Sequence, residues 1–295
     1  MIDPNIASSR VRQITWTGIW VNLFLTIAKI FAGVFGNSKA LIADGIESGM
    51  DIVTSMFLVV GSRFWSAPPD ADHPYGHRRI ETIITLGIGL VVGFVGLSII
   101  GNALSSLHSG EHSHPTILAL VVAIGTVLAK EILYRWSDRE GRKIRSMSVV
   151  ANAWHHRSDA ISSIPVALSV AASQLVPTWT FLDSIGALIA GGFILKACKD
   201  ITWPALLEMA DTGAETSALD KIAAIASSVE GVSSIHDLRT RRLGSSIHVD
   251  LHIVVDPNLT VMQAHLIGDE VVTRLKSEGP DVLDVLIHLD PREDM

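Results

Sequence analysis

Cys198 is the only thiol in the chain, so no disulfide framework can form within it. Charge is scarce as well. Only 18% of residues are Asp, Glu, Lys or Arg, and the mean hydropathy is +0.39. That balance belongs to a membrane protein with an attached soluble part. No HExxH, P-loop or GxSxG pattern occurs, which removes the zinc-protease, nucleotidase and hydrolase readings. The first residues lack the basic start, short apolar core and small-residue cleavage site of a signal peptide, so the first apolar run is expected to be retained. From Thr82 to Leu107 there is no charged residue.

Apolar runs of membrane-spanning length lie near 11–35, 40–65, 80–107, 115–136, 148–176 and 179–202. The fourth is the weakest, interrupted by Lys130 and Glu131. Basic residues set the expected orientation. Arg10 and Arg12 precede the first run, and Arg63, Arg78 and Arg79 flank the second connection. Arg135, Arg139, Arg142, Lys143 and Arg145 crowd the fourth, and Lys196 and Lys199 end the sixth run. The odd-numbered connections hold little beyond Lys39. Six spans with both termini in the cytoplasm satisfy all of these.

The character changes near Pro204, which gives an expected division into a transport domain, 1–204, and a soluble domain, 205–295. The latter carries 16 acidic and 7 basic residues, a net of about −9. Such a surface argues against nucleic acid as a partner. Periodicity predicts a helix over 217–230, strands over 232–241 and 247–255 around a turn at Gly244, a helix over 261–276 and a strand over 282–289. Two helices on one face of a small sheet suggest a ferredoxin-like α+β domain.

The chemistry concentrates in two intervals of one helical turn, Glu47 to Asp51 and His155 to Asp159, each inside an apolar helix. Ionisable groups at membrane depth are costly, and they line a polar pathway or pair with one another. Three carboxylates and an imidazole make a tetrahedral site for a small divalent cation. Asp44 shares the helix face of Glu47 and Asp51. His156 and Arg157 fall off the face of His155, and Asn22, Lys29 and Asp183 read as helix contacts or ends. The second connection holds Asp70, Asp72, His73 and His77 in a tight Pro/Gly loop able to hold a metal or to be merely polar. His108, Glu111, His112 and His114 in the third read first as a polar loop, with weak metal capture as the alternative. In the tail, His248 and His252 alternate with apolar residues on one strand, and His288 and Asp290 on another. That pattern fits a metal site and a solvated strand face equally well.

Taken together, the segments 43–51, 72–77, 152–159, 236–241 and 287–291 resemble the cation diffusion facilitators, bacterial divalent-metal/proton antiporters. The resemblance covers nearly the whole chain. It implies a homodimer in the inner membrane, with one transport site per protomer at Glu47, Asp51, His155 and Asp159. It also implies a loop site at Asp70, His73 and His77. A binuclear cytoplasmic site from His236, His252, His265, His288 and Asp290 would bridge the two tails, and an ionic latch would join Arg79 to Asp211. Asp44, Asp72 and His248 stand as accessory positions. Zinc members of the family carry aspartate at the position of Glu47, and the histidine-rich fourth connection of eukaryotic relatives is replaced here by a basic one.

The expected function is proton-coupled export of Zn²⁺, with Fe²⁺, Cd²⁺, Co²⁺ and Mn²⁺ as further candidates. Ligands must be deprotonated to bind metal, so metal and proton compete for one site. Metal in the tails would act as a regulatory ligand. The rival reading is a membrane-anchored metal sensor or scaffold without transport.

Overall fold

The computed structural model describes residues 4–65, 67–110, 114–144, 146–244 and 246–292. Glu111, His112 and Arg145 lie outside the described residues. The chain divides into two compact units, Met1–Val60 with Ile88–Asp200, and Gly61–Gly87 with Ile201–Met295.

Six long helices account for most of the first unit: α1 (Pro4–Phe35), α2 (Lys39–Trp65), α3 (Arg79–Ser109), α4 (Ile117–Lys143), α5 (Met147–Leu175) and α6 (Phe181–Met209). A short 3₁₀ turn at Pro177–Trp179 precedes α6. Four helical stretches, Arg10–Phe35, Arg79–Ser109, Ile117–Lys143 and Phe181–Met209, are long and apolar enough to cross a membrane. The other two helices have 27 and 29 residues and carry the acids and the histidine singled out above. Large apolar side chains such as Trp20, Phe24, Phe94 and Leu168 face outward, while alanines from five of the helices fill the interior. This inside-out size pattern lets membrane helices approach closely. Gly45 shows why: a Cβ there would lie 2.8 Å from the Ile30 side chain and 3.1 Å from Lys29 Cβ. The close contact of α1 with α2 brings Lys29 beside Asp44.

The entry to α2 is tied from a distance. Ser38 Oγ accepts from the Leu41 amide and donates to Asp183 Oδ1 at 2.6 Å, while Asp183 Oδ2 accepts from the Lys39 amide at 2.7 Å. A carboxylate at a helix N-terminus satisfies orphan amides and suits the helix dipole. Asp183 is therefore a structural acid.

Within the second unit, residues 216–291 run helix–strand–strand–helix–strand: α7 (Thr216–Ser227), β1 (Ser234–Leu243), β2 (Ser246–Val255), α8 (Val261–Glu278) and β3 (Val282–Pro291). This is the predicted order, with boundaries that agree or differ by up to three residues. The sheet order is β1-β2-β3, antiparallel between the first pair and parallel between the second. Ile222 and Ala226 of α7 and Val271 and Leu275 of α8 join Ile247, Val249, Leu251, Ile253 and Val255 in one core. Both helices therefore cover the same face of β2. Thr260 and Gln263 close a capping box at the start of α8. Because side chains alternate along a strand, the opposite face must carry His248, Asp250 and His252.

Candidate metal centres

In the first unit, α2 supplies Asp51 and α5 supplies His155 and Asp159, whose donor atoms all lie within 4.8 Å of one another. His155 Nδ1 stands 3.7 Å from Asp159 Oδ1, the one-turn spacing expected. The three border a cavity of about 490 Å³ that Asn22, Ser48 and Lys130 also line. Glu47 lies one turn before Asp51 and is outside that close group of three. His156 lines the same cavity but is buried and outside the close group, its ring nitrogens near the side-chain amides of Asn22 (3.5 Å) and Asn152 (3.2 Å). Arg157 donates to Tyr134 Oη at 3.0 Å and lies over the Tyr134 and Trp154 rings.

Two lysines complete this region: Lys29, expected from the sequence as a helix contact, and Lys130, expected only as an interruption of the fourth apolar run. Lys29 is wholly buried; its ammonium meets Asp44 Oδ2 at 2.8 Å, Ser48 Oγ at 3.1 Å and Ser163 Oγ at 3.2 Å. Ser163 in turn donates to Asp44 Oδ1 at 2.7 Å. Lys130 bonds Asp159 Oδ2 at 3.2 Å and Ser48 at 3.4 Å. Within 44–51 of α2 there is no base among the acids. Across helices, Asp44 is neutralised by α1 and Asp159 by α4. The signal in the sequence was that a lysine inside an apolar run needs an intramembrane acid as partner.

In the second unit, the loop gathers Asp70, His73 and His77. Asp70 Oδ1 accepts from the His73 amide at 2.7 Å and the Asp72 amide at 3.0 Å. His73 Nδ1 and His77 Nε2 lie 3.3 and 3.2 Å from the Asp70 carboxylate. The backbone bond from His73, with smaller help from the two imidazoles, holds the Asp70 carboxyl below the usual carboxylate range. His77 Nδ1 sits 3.2 Å from the Pro68 carbonyl, a contact that orients the ring and leaves Nε2 toward the cluster. Asp72 contributes only its backbone there. Arg79 and Asp211 form an ion pair.

The open face of the sheet carries the third group. His236, His252 and His288 lie opposite one another across all three strands. Asp290 Oδ2 is 2.8 Å from His252 Nδ1 and 3.1 Å from His236 Nε2, and Oδ1 is 3.2 Å from His288 Nε2. The hydrogen bond to His252, then the neighbouring imidazoles, hold the Asp290 carboxyl below its ordinary range. A register shift between His236 and Arg239, with Asp237 at φ 47°, interrupts the ladder beside His236. His265 is not in this group: it projects from α8, on the helix-covered side, and pairs with Asp269 at 3.5 Å. His248 shares the open face and is buried.

Residues 15–210 match the family described as cation efflux transmembrane domain, and residues 214–292 match cation efflux protein, cytoplasmic domain. The chain belongs to the cation efflux family. It is 38% identical over 290 residues to Metal tolerance protein C1 of Arabidopsis thaliana, with 93% of this chain matched but only 61% of that longer protein. It is 32% identical to the manganese efflux system protein MneS of Bacillus subtilis (strain 168), covering 92% of each chain. Among solved structures, the MamM CTD in a nickel form is 30% identical and covers 27% of this chain and 100% of its own, at a TM-score of 0.26.

The donor sets in this cation efflux protein suit a divalent transition metal. Each cluster mixes imidazole nitrogen with carboxylate oxygen, the borderline set that zinc and its neighbours accept. Ligands about 2.0–2.2 Å from a tetrahedral ion stand about 3.4 Å apart. In each of the close groups Asp70–His73–His77, His236–His252–Asp290 and Asp51–His155–Asp159 the donor atoms lie within 4.8 Å of one another.

Proposed function

We propose that this protein exports divalent metal cations from the cytoplasm in exchange for protons, with zinc as the first candidate ion. The observation that carries the reading is the meeting of Asp51, His155 and Asp159 from two apolar helices at the edge of one cavity. Glu47 completes the set as a fourth ligand after a rotamer change. The imidazole favours zinc over manganese. The manganese named for MneS supplies the competing reading, and Fe²⁺, Cd²⁺ and Co²⁺ share the donor preference.

The arginine distribution and the lengths of α1 to α6 support six spans with both termini cytoplasmic, and the likeness to a bacterial relative supports a bacterial inner membrane. The boundary is drawn at 204/205, with a ferredoxin-like soluble domain beyond it. The protein works as a homodimer whose tails hold regulatory metal at His236, His252, His288 and Asp290. His265 faces away from these within one chain, so it joins them only through a partner. The loop site at Asp70, His73 and His77 is a second point of capture, and the Arg79–Asp211 pair a latch between the loop end and the tail.

In the empty transport site the Lys130 ammonium balances Asp159. An incoming divalent ion must displace that tethered cation from Asp159, and protons from the other ligands, before it is fully ligated. Opening to the other side returns the protons and Lys130 to the ligands, and the ion leaves. No nucleotide enters the cycle.

Purified protein in liposomes, with an imposed pH gradient and Zn²⁺, Mn²⁺, Fe²⁺, Cd²⁺ and Co²⁺ offered in turn, tests the proposal. Saturable flux that follows the gradient is expected, with zinc moved fastest. No flux of any ion would leave the sensor or scaffold reading, and a manganese preference would overturn the choice of ion.

A further inference from the structure

Two positions from the metal-binding histidines, the open face of the sheet carries a row of different chemistry. Arg241 of β1, His248 of β2 and Asp284 of β3 lie opposite one another across the three strands. His248 is only 7% exposed, yet its Nε2 is buried with no hydrogen-bond partner among the described residues. A buried polar atom left unpaired is costly, and it marks a place where something else binds.

That imidazole lines a cavity of about 390 Å³ together with His73, Tyr75, Arg78, Arg79 and Arg241, and no carboxylate lines it. Acids stand close by: Asp284 faces His248 across the strands and Glu81 lies near Arg78, while others are paired outside the cavity. Asp211 pairs with Arg79, Asp284 with Lys276 at 2.9 Å, and Glu208 accepts from Thr82 and the Gly244 amide. The arginines keep donors in reserve. Arg78 uses one nitrogen on Ser246 Oγ at 2.7 Å, and Arg241 makes no ion pair among the described residues. Each guanidinium offers five N–H groups in a planar fork, the geometry that grips phosphate two-pronged. A metal cation is repelled by the guanidinium charges of Arg78 and Arg241, and an apolar ligand would leave His248 Nε2 as orphaned as before.

We infer that this cavity is an anion site that binds a phosphate group, with Arg78, Arg241 and His248 Nε2 as its donors. It adjoins the start of α3, a helix long and apolar enough to cross a membrane, within the second unit. The phosphate can therefore come from a lipid headgroup or from solution. This site is separate from the transport reading, and its test does not measure flux.

The test is thermal unfolding of the full-length protein in detergent, with inorganic phosphate, short-chain phosphatidylglycerol or short-chain phosphatidylcholine added. A ligand that binds only the native state raises the midpoint in proportion to its occupancy. Phosphate or phosphatidylglycerol should raise it, and phosphatidylcholine much less. A rise with phosphatidylglycerol alone assigns the phosphate to lipid, a rise with inorganic phosphate alone assigns it to solution, and both support the site. Arg241→Gln and His248→Gln should each weaken the apparent affinity by about tenfold or more. Arg239→Gln, one row along the same strand face and exposed, should not. If Arg241→Gln does not fold, Arg241→Lys keeps the charge and should show an intermediate loss. No rise with either anion, or an equal rise in the Arg241 variants and wild type, would overturn the inference.

Discussion

Lys29 and Lys130 change what the acids of α2 and α5 mean. Asp44, one of three carboxylates on a single helix face, serves as the counter-ion of a wholly buried ammonium. Removing one member of such a pair strands the other, at about 3–5 kcal/mol, whereas replacing both by apolar groups is often neutral. Lys29→Met should therefore destabilise the protein strongly, and Lys29→Met with Asp44→Leu should recover most of the loss. Unfolding midpoints in detergent check this, and a double variant no more stable than the single one would sink it. The transport ligands divide by the same logic. Asp51→Ala and Asp159→Ala should both abolish flux, and Asp159→Ala also removes the carboxylate that Lys130 bonds. Its midpoint should fall below that of the wild type, and an unchanged midpoint would mean that Lys130 is not held by Asp159. Glu47→Asp keeps charge and donor type while shortening reach. It should shift the competition profile among Zn²⁺, Cd²⁺, Fe²⁺ and Mn²⁺ more than total activity, and identical profiles would remove Glu47 from selectivity.

At the scale of the element, β2 does two jobs because a strand has two faces. One seats α7 and α8, and the other carries His248 and His252. Burial holds the His248 imidazole below the usual histidine value, with Asp284 opposing and Arg241 assisting. A base kept neutral in the fold and free to protonate in the unfolded chain confers stability that is complete above about pH 6.5 and lost as pH falls from there toward the folded value. Wild type should therefore lose stability on mild acidification more steeply than His248→Gln, and parallel pH profiles would remove this role. The strand pattern was legible in the sequence: the alternation placed His252, His288 and Asp290 off the core face, and the structure has them there. The convergence of His236 was not legible from that alternation, because it depends on β1–β2 register beside an irregular ladder.

For the whole molecule, a net charge of about −9 on each tail opposes pairing of two tails. Divalent ions bound at His236, His252, His288 and Asp290 would offset that locally and add ligand bonds. Zinc should raise the protein's melting temperature and shorten the distance between spin labels on the two tails. His288→Ala with Asp290→Ala should remove most of both effects and reduce transport without abolishing it, since the site at Asp51, His155 and Asp159 is untouched. A distance and a melting point indifferent to zinc would leave these histidines a solvated strand face.

The sequence by itself determined where apolar helices lie, the order of elements in the tail, and which acids and histidines share a helix turn or a strand face. Those are consequences of a 3.6-residue or 2-residue period acting over a few residues. Only the tertiary structure decided which charges neutralise one another: Lys29 with Asp44, Lys130 with Asp159, and Asp183 with the start of α2. It also turned His265 away from the other tail histidines and buried His248 among arginines. The reason is physical. A pairing between helices depends on their rotation and approach, set by small residues such as Gly45 and the packed alanines, and no local period encodes it.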